Sequence, residues 1–435
     1  MITMKKYRRE NIHYFMTLPQ MTKFKEFLLN NAYGLLILGI IILYMLSHPQ
    51  RTLDVDCICS FTIDYRTGFG GRKLIASIVS FFISNFNLSR LLKIVYLITI
   101  IGCVFFAYCC NLFIRKTNRL GENYRLASIY LLTLYMMCPA SLFFLLVFPN
   151  FGRLDFFLYL SCLLFCILFY HRKENRPIYF LCVATLIVIN ILSHHIFVAT
   201  YLSFFVALFI YDIWEKGFNK NLFSCYFVLA LITVATFLSI FLFSSMKISL
   251  EEATQYHPNL ELSKKFVWFI YYAHIADHFN LYVLSNAKKL LAIFILTILF
   301  LLPLFIFGRK IWKITIDAQD KYSRNLFWGM QSAFLLFIPA FCITVDYARW
   351  FAAFIFIQFL LIAYFMFDKD SLYSNIGESL GLYVKKHTYY CAFLIIYCSL
   401  LGYFGSDRTF ECGEFILEKM HIYKTIVQLP AEILQ

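Results

Sequence analysis

Long apolar runs separated by short polar segments make up most of the chain. A helix needs about 20 consecutive apolar residues to cross a membrane, so runs of this length predict membrane-spanning helices. We predict about eleven, at residues 28–47, 91–114, 126–148, 178–193, 196–213, 222–246, 290–307 and 389–404, with three more that end at Arg172, at Asp346 and at residue 368. The predicted fold is all-α, a polytopic integral membrane helix bundle that forms a single domain over residues 1–435.

One apolar stretch, residues 74–86, is too short to cross. As a helix it would be only about 20 Å long, against a hydrocarbon core of about 30 Å. Serines recur along it at helical spacing, at Ser77, Ser80 and Ser84. We therefore expect a short helix with one polar stripe that packs at the outer face of the membrane.

Two polar segments stand out between the apolar runs. Residues 48–90 contain the short helix and a glycine-rich motif. Residues 247–289 form the longest polar insertion and carry an aromatic run, predicted to be helical, from Phe266 to Tyr282. With alternating crossings both segments fall on the same side of the membrane, so we expect an outer motif loop and a long outer loop.

The composition indicates a membrane protein, since 61% of the residues are hydrophobic, 15% are charged and the mean hydropathy is +0.70. More than half of the 39 lysines and arginines lie in the amino-terminal segment and in the loops assigned to its side. The positive-inside rule makes that side cytoplasmic. The net charge of +14 suits contact with anionic membrane lipid. No nucleic-acid-binding module is recognisable, so we expect no nucleic-acid partner.

The outer motif loop contains Asp64-Tyr65-Arg66-Thr67-Gly68-Phe69-Gly70-Gly71-Arg72-Lys73. Its three glycines permit a tight turn with close backbone approach, and an apolar helix begins directly afterwards. A helix N-terminus attracts phosphate, and arginine binds it through paired donors. These features predict a phosphate clamp at the membrane surface. The alternative is a solvated turn beside the membrane with snorkelling arginines.

Four arginines are predicted at outer span ends or outer turns, namely Arg66, Arg72, Arg153 and Arg349. Arginine in an apolar surround is costly unless it is paired or functional. A shared outer cavity lined by all four would bind a diphosphate. Neighbouring carboxylates leave local salt bridges as the alternative, at Asp64, Asp155 and Asp346.

Histidines supply candidates for a general base. His194 and His195 lie at the predicted junction of two spans, and neutral histidine accepts protons near pH 7. The alternative is a histidine bonded to backbone at a tight turn. His274 and His278 would share a helix face, which is a weak metal signal because the glutamate of the zincin motif is absent. We expect neither a metal nor another cofactor.

The order of these residues resembles the Wzy-type O-antigen and capsular polysaccharide polymerases, a group of bacterial polytopic membrane proteins. The matching positions are Asp64, Tyr65, Gly68, Phe69, Arg72, Leu74, His194, Asp346, Arg349 and Trp350. The chain departs from the family pattern at Gly70, where valine is usual, and at His195, where glutamate is usual.

The resemblance implies an inverting, metal-independent glycosyltransferase on the outer face of the bacterial inner membrane, with a cytoplasmic amino end and a GT-C-like bundle as one option. It would move an undecaprenyl-diphosphate-linked glycan onto a lipid-linked repeat unit, with a chain-length regulator as an optional protein partner. The implied site residues are Arg66, Arg72, Arg153 and Arg349 for the diphosphate, His194 and Asp64 for catalysis, and Gly68, Asp346 and Trp350 in support.

Two other functions stay open. A multispanning glycosyltransferase that uses a polyprenyl-phosphate sugar would favour an acidic base in the first outer loop, where Asp54, Asp56 and Asp64 lie. A lipid-linked oligosaccharide flippase would place ionisable residues deep within its spans and would have pseudo-symmetric halves. The sequence shows little sign of either feature.

Overall fold

A computed structural model describes residues 18–83, 85–273, 275–344 and 346–401. This part of the chain is helical and contains no β-strand, which confirms the all-α fold. The α-helices are α1 (Leu18–Ser47), α2 (Val55–Thr62), α3 (Leu74–Phe82), α4 (Leu88–Asn118), α5 (Glu122–Met137), α6 (Asp155–Tyr170), α7 (Arg176–Ser193), α8 (Leu202–Trp214), α9 (Lys220–Phe243), α10 (Leu250–Gln255), α11 (Lys264–Tyr271), α12 (Ile275–His278), α13 (Ala287–Asp317), α14 (Lys321–Ser332), α15 (Phe337–Ile343), α16 (Tyr347–Phe367), α17 (Ile376–Lys386) and α18 (Thr388–Leu401).

Eight segments of the described chain are long and apolar enough to cross a membrane, namely Asn30–Ser47, Leu88–Asn118, Glu122–Leu145, Arg176–Ser193, Lys220–Phe243, Leu290–Asp317, Lys321–Ile343 and Tyr347–Phe367. Three further apolar helices, α6, α8 and α18, have 16, 13 and 14 residues. At about 1.5 Å per residue these three are shorter than the usual spanning length. The structure thus supports a polytopic helix bundle, while the number of eleven crossings stays a prediction.

Polar caps explain where several helices begin. The side chain of Asn87 accepts a hydrogen bond from the backbone N–H of Arg90 at 2.7 Å, at the start of α4. Asn219 accepts in the same way from Leu222 at 3.1 Å, at the start of α9. Such side chains satisfy amide groups that the first turn of a helix leaves unpaired.

Aromatic stacking packs the interior of the bundle. Tyr159 of α6 stacks on Phe356 of α16 with ring centroids 3.7 Å apart, and Phe165 stacks on Phe205 of α8 at 3.8 Å. Gly102 of α4 permits close helix contact, because a Cβ there would lie 2.4 Å from an aromatic ring of α6. Lipid is as apolar as these side chains, so close packing, more than exclusion of water, holds the helices together.

A second, smaller core covers one end of the bundle. It combines α2, α3, the start of α4, the turn at 151–154 and residues 253–267. We call this the motif end. The two predicted outer loops meet there, since the side-chain amide of Asn259 donates to that of Asn85 at 3.1 Å. The predicted aromatic helix of the second loop is divided, because α11 ends at Tyr271 and α12 begins at Ile275.

The short helix expected over residues 74–86 is α3, which spans Leu74–Phe82. Its nine residues reach only about 14 Å, far less than a membrane crossing. The hydroxyl of Ser77 accepts a hydrogen bond from the backbone N–H of Tyr65 at 3.0 Å, so the predicted serine stripe contacts the motif. Ser84 lies outside the described residues.

A buried network of charges joins helices at the opposite end of the bundle. Arg172 is 1% exposed and donates to Asp212 at 2.6 Å and to Glu215 at 3.3 Å. Arg176 also donates to Asp212, at 2.9 Å, and Lys173 donates to Glu215 at 3.0 Å. We call these five residues the opposite-end network. It ties the end of α6 to α8 and to the start of α7.

Candidate functional site

Residues 64–73, called the motif turn below, begin with a local cap. Asp64 accepts the backbone N–H of Arg66 at 2.9 Å and starts the 3₁₀ turn Tyr65–Thr67. Gly68 follows at φ +126°, a conformation that residues with a Cβ rarely adopt. A Cβ at Gly68 would lie 2.1 Å from the carbonyl oxygen of Ser245. Glycine is therefore required here by both the backbone angle and the available space.

Residues 244–247, called the strap below, hold the motif turn. The backbone N–H of Lys247 donates to the carbonyl of Thr67 at 2.8 Å, and that of Ser245 donates to the carbonyl of Phe69 at 2.9 Å. The glycines make room for such contacts. A Cβ at Gly70 would lie 2.8 Å from the hydroxyl oxygen of Ser244 in the strap. A Cβ at Gly71 would lie 2.9 Å from the Nδ1 atom of His195, which follows α7. All three glycines of the motif thus face protein atoms.

Lys73 is a buried cation that the sequence analysis did not single out. Its ammonium donates to the hydroxyl of Thr67 at 3.1 Å and to the carbonyl of Gly68 at 3.0 Å, and it lies 5.5 Å from the ring centre of Tyr271. Burial lowers its pKa to about 8, although the charge of Asp64 opposes this effect. The sequence feature that could have indicated its burial is its position directly before an apolar helix.

Asp64 and Arg66 form a local pair, as the salt-bridge alternative predicts. The Nε of Arg66 donates to Asp64 Oδ2 at 2.9 Å, and the hydroxyl of Tyr256 donates to Asp64 Oδ1 at 3.2 Å. Burial raises the pKa of Asp64, but the hydrogen bonds from Arg66 outweigh it and leave the pKa below its usual value. The Arg66 side chain is 64% exposed and Asp64 is 1% exposed. Both oxygens of Asp64 are therefore engaged.

Asp56 of α2 joins two of the predicted arginines. Arg72 Nη1 donates to Asp56 Oδ1 at 3.1 Å, and Arg153 Nη1 lies 3.7 Å from Asp56 Oδ2. Burial raises the pKa of Asp56, yet the positive charges of Arg72, Arg153 and Arg349 bring it below its usual value. The backbone N–H of Arg72 also donates to the carbonyl of Leu192 at 3.1 Å, which fixes the motif turn to the end of α7.

Arg349, on the first turn of α16, is 4% exposed and pairs with two carboxylates. Its Nη2 donates to Asp155 Oδ2 at 2.6 Å, and its Nη1 donates to Asp346 Oδ2 at 2.8 Å. Nη2 also lies 3.3 Å from His194 Nε2. Arg349 therefore connects the ends of α6, α7 and α16 that lie at the motif end of the bundle.

These contacts define an arginine cluster that combines residues from distant parts of the chain. Its members are Arg72, Arg153, Arg349, Asp56, Asp155, Asp346 and His194. Three positive and three negative charges balance while His194 is neutral. The structure brings three of the four predicted arginines into this cluster and places the fourth, Arg66, in its separate contact with Asp64.

His194 follows α7 and is 3% exposed. Burial lowers its pKa well below the usual value, and the charges of Arg72 and Arg349 act in the same direction, so the ring is neutral near pH 7. A guanidinium only donates hydrogen bonds. The Nε2 atom that faces Arg349 must therefore accept, which leaves the proton of the neutral ring on Nδ1.

Four buried donor atoms around this cluster have no hydrogen-bond partner within the described part of the chain. They are His194 Nδ1, Arg153 Nε, Arg349 Nε and the side-chain nitrogen of Asn190. Asn190 stands one turn before His194 on α7, and its oxygen accepts from Ser161 at 2.7 Å. Buried donors are almost always paired in folded proteins. An oxyanion could satisfy them, because it offers acceptors only.

The remaining predicted residues are dispersed around the motif end. Trp350 is 2% exposed, and its ring N–H donates to the hydroxyl of Thr344 at 2.5 Å. The guanidinium carbon of Arg349 lies 5.1 Å from the centre of the Trp350 ring. His278 ends α12, whereas His274 lies outside the described residues. Asp56 belongs to the arginine cluster and Asn190 lies one turn before His194, and neither was predicted as a site residue. The sequence pattern marked Asp56 only as one of three acidic residues in the predicted first outer loop.

Comparisons with protein-family models, with curated proteins and with solved structures gave no match to this chain.

Proposed function

We propose that the protein polymerises undecaprenyl-diphosphate-linked oligosaccharide repeat units, with the motif end on the outer face of a bacterial inner membrane. The observation that carries this proposal is the set of unpaired buried donors on Arg153, Arg349, His194 and Asn190. They lie in the arginine cluster or, for Asn190, one turn before His194, at the end of a membrane bundle. The diphosphate of a membrane-bound lipid would lie there. The reaction is an inverting glycosyl transfer.

The arginines would act on the leaving group. When the acceptor hydroxyl attacks the anomeric carbon, the bond to the lipid diphosphate breaks and its electron pair stays with the diphosphate. Donors held in place before the reaction stabilise this developing charge at little cost of reorganisation. Asp56 and Asp155 hold Arg72, Arg153 and Arg349 by ion pairs, so the unpaired edges of the guanidinium groups stay oriented.

An apolar groove supplies a place for the lipid chain. It has a volume of about 140 Å³ and lies between α4, α5, α6 and α16. On α6 and α16 its lining begins at Tyr159 and Phe356, which follow Asp155 and Arg349 by four and seven residues, and on α16 it extends to Phe367 at the opposite end. At 1.5 Å per residue this is a descent of roughly 6 and 10 Å. An isoprenoid chain is apolar and would therefore suit this lining.

The alternative functions have less support. A polyprenyl-phosphate-sugar transferase needs an acid with an open oxygen in the first loop. Asp54 caps α2, and both oxygens of Asp56 and of Asp64 face hydrogen-bond or ion-pair partners. A flippase would favour charges near the middle of the bundle. Here the described charges of α6 and its neighbours form two groups at its two ends, which its 16 residues separate by about 24 Å.

Deletion of the gene and complementation test the proposal through the length of the surface glycan. Cells without the protein should make single-repeat glycan, and the wild-type gene should restore the polymer. Arg349→Lys should fail to restore it, because lysine keeps the charge but loses the planar fork that binds two carboxylates. The matched control is Arg66→Lys, since Arg66 is exposed and stands outside the cluster.

Other glycan patterns would reject the proposal. A complete repeat that lacks one sugar branch would indicate a glycosyltransferase for that branch. Lipid-linked repeats that accumulate on the cytoplasmic side would indicate a flippase. Normal polymer in the deletion strain would exclude the proposed activity altogether.

A further inference from the structure

A glycosyl transfer needs an acceptor for the proton of the attacking hydroxyl, and this inference rests on the proposed function. The site contains one histidine and several carboxylates that could serve. They differ in which atoms are already engaged and in how far solvent or substrate can reach them. These two criteria separate the candidates.

His194 is poorly placed to take a proton. The only unprotonated nitrogen of its neutral ring, Nε2, lies 3.3 Å from a guanidinium nitrogen of Arg349. Protonation there would place two cations in direct contact in a buried site, where such repulsion is poorly screened. Nδ1 carries a proton, is buried and has no partner in the described structure. His194 is thus arranged to donate a hydrogen bond through Nδ1.

Three carboxylates are already engaged and largely shielded. Asp155 is 3% exposed and accepts from Arg349. Asp56 has both oxygens directed at arginines, at 3.1 and 3.7 Å. Asp64 is 1% exposed and has both oxygens in hydrogen bonds. Each would have to break an ion pair or move before it could reach a hydroxyl.

Asp346 differs from these three. Its side chain is 29% exposed, the largest value among the carboxylates of the arginine cluster. Oδ2 accepts from Arg349 at 2.8 Å. No hydrogen bond to Oδ1 is found within the described part of the chain. One oxygen therefore orients the carboxylate on Arg349 while the other is open.

We propose that Asp346 accepts the proton of the attacking sugar hydroxyl and that His194 donates a hydrogen bond through Nδ1 to an oxygen of the lipid diphosphate. The hydroxyl oxygen forms a bond to the anomeric carbon as its proton passes to Asp346. The bond from that carbon to the diphosphate oxygen breaks, and the electron pair leaves with the diphosphate. Asp346 then returns the proton to water, so atoms and charge balance.

Two substitutions at His194 can distinguish a hydrogen-bond donor from a general base at this position. The amide nitrogen of asparagine can occupy the place of Nδ1, whereas that of glutamine comes nearer to Nε2. With purified full-length protein in liposomes and lipid-linked repeats extracted from the deletion strain, His194→Asn should lose less than about tenfold in kcat/KM. His194→Gln should lose about 100-fold. Equal and complete loss in both variants would contradict the donor role.

Substitutions at Asp346 test the base. Asp346→Asn should lower kcat about 10²–10⁴-fold, the usual contribution of a general base, with KM near that of the wild type. Asp346→Glu should recover at least a tenth of the rate. A purely structural role would raise KM or lower the thermal stability of Asp346→Asn, and activity of that variant near wild type would reject the assignment. The exposed Asp370→Asn at the opposite end serves as the control.

Failure of this inference is distinct from failure of the proposed function. If wild-type protein in liposomes makes no polymer from lipid-linked repeats, the polymerase function is wrong. If the wild type makes polymer and Asp346→Asn does so equally well, only the assignment of the proton acceptor is wrong.

Discussion

At the scale of single residues, ion pairs between distant segments organise the site. Arg153 and Asp155 are two residues apart, yet Asp155 pairs with Arg349 and Arg153 faces Asp56. Buried arginine is tolerated only with partners that offset its desolvation. The pairing therefore fixes three helix ends at the motif end relative to one another. It also leaves selected guanidinium edges free for a ligand.

Arg72→Lys tests the need for a planar fork in the arginine cluster. Lysine can reach Asp56 with one ammonium group but cannot reproduce the geometry of a guanidinium. We expect the variant to insert normally and to lose at least tenfold in polymer synthesis. Surface-glycan length and the protein level in membranes are the measurements. Near-normal polymer would show that Arg72 serves only the structure of the turn.

Lys73 predicts a pH dependence of stability. Its pKa is about 8 in the folded protein and about 10.4 when exposed. Below about pH 8 it is charged in both states, and burial of the charge costs about 3 kcal/mol. As pH rises towards 10 the folded protein releases this proton first, so the free energy of unfolding should rise.

Thermal unfolding in detergent at pH 7 and pH 9.5 measures this effect. The wild type should gain stability relative to Lys73→Met over this interval, because methionine removes the titrating group. An identical pH response in the two proteins would show that Lys73 does not carry the effect.

At the scale of structural elements, the strap and the motif turn act as one unit. Two backbone hydrogen bonds join Thr67 and Phe69 to Lys247 and Ser245. The motif turn is also joined to the end of α7, because the backbone N–H of Arg72 donates to the carbonyl of Leu192. A change in the long loop can therefore reach the arginine cluster through only a few contacts.

Gly68→Ala should disrupt this unit. Both Gly68 and Gly121 have positive φ, at +126° and +135°, with ψ at 170° and 173°, so alanine strains either backbone by about 1–3 kcal/mol. Only at Gly68 would the new Cβ collide with backbone, since nothing lies within 4 Å at Gly121. We expect polymer synthesis to fall at least tenfold in Gly68→Ala and to persist in Gly121→Ala. Equal behaviour of the two variants would argue against a role for the strap.

At the scale of the whole molecule, ionic groups at both ends enclose an aromatic and apolar middle. The opposite-end network links the end of α6 to α8, and the hydroxyl of Tyr226 on α9 donates to the same Asp212 at 2.8 Å. The hydroxyl of Tyr364 on α16 accepts from Arg172 at 3.1 Å. With α7, which begins at Arg176, five helices are therefore joined there, far from the arginine cluster.

Arg172→Met should destabilise the protein without altering its chemistry. It would leave Asp212 and Glu215 buried without their central partner, which typically costs 3–5 kcal/mol. Arg176→Met is the matched control, because Arg176 is 34% exposed and its contact with Asp212 is worth much less. Thermal unfolding in detergent should show a larger loss for Arg172→Met. The KM of the remaining active protein should be unchanged.

Cross-linking can test whether the two long loops lie together at the motif end. Cysteines at Asn85 and Asn259 should form a disulfide under mild oxidation, because the two side chains touch. Cysteines at Asn85 and Asn375 should not, since Asn375 contacts Gln319 at the opposite end. Cross-linking of the second pair would contradict the arrangement of the helices.

The sequence by itself determined the all-helical membrane architecture and the short helix that begins at Leu74, and it singled out most members of the arginine cluster as candidate site residues. These properties follow from hydrophobicity, helix length and the cost of burying charge, all of which are local. Only the tertiary structure decided that Arg66 stands apart from the other arginines, that the strap fills the glycine turn and that Arg349 occupies one nitrogen of His194. Those outcomes depend on which distant segments meet, and a local pattern of residues does not encode the geometry of that meeting.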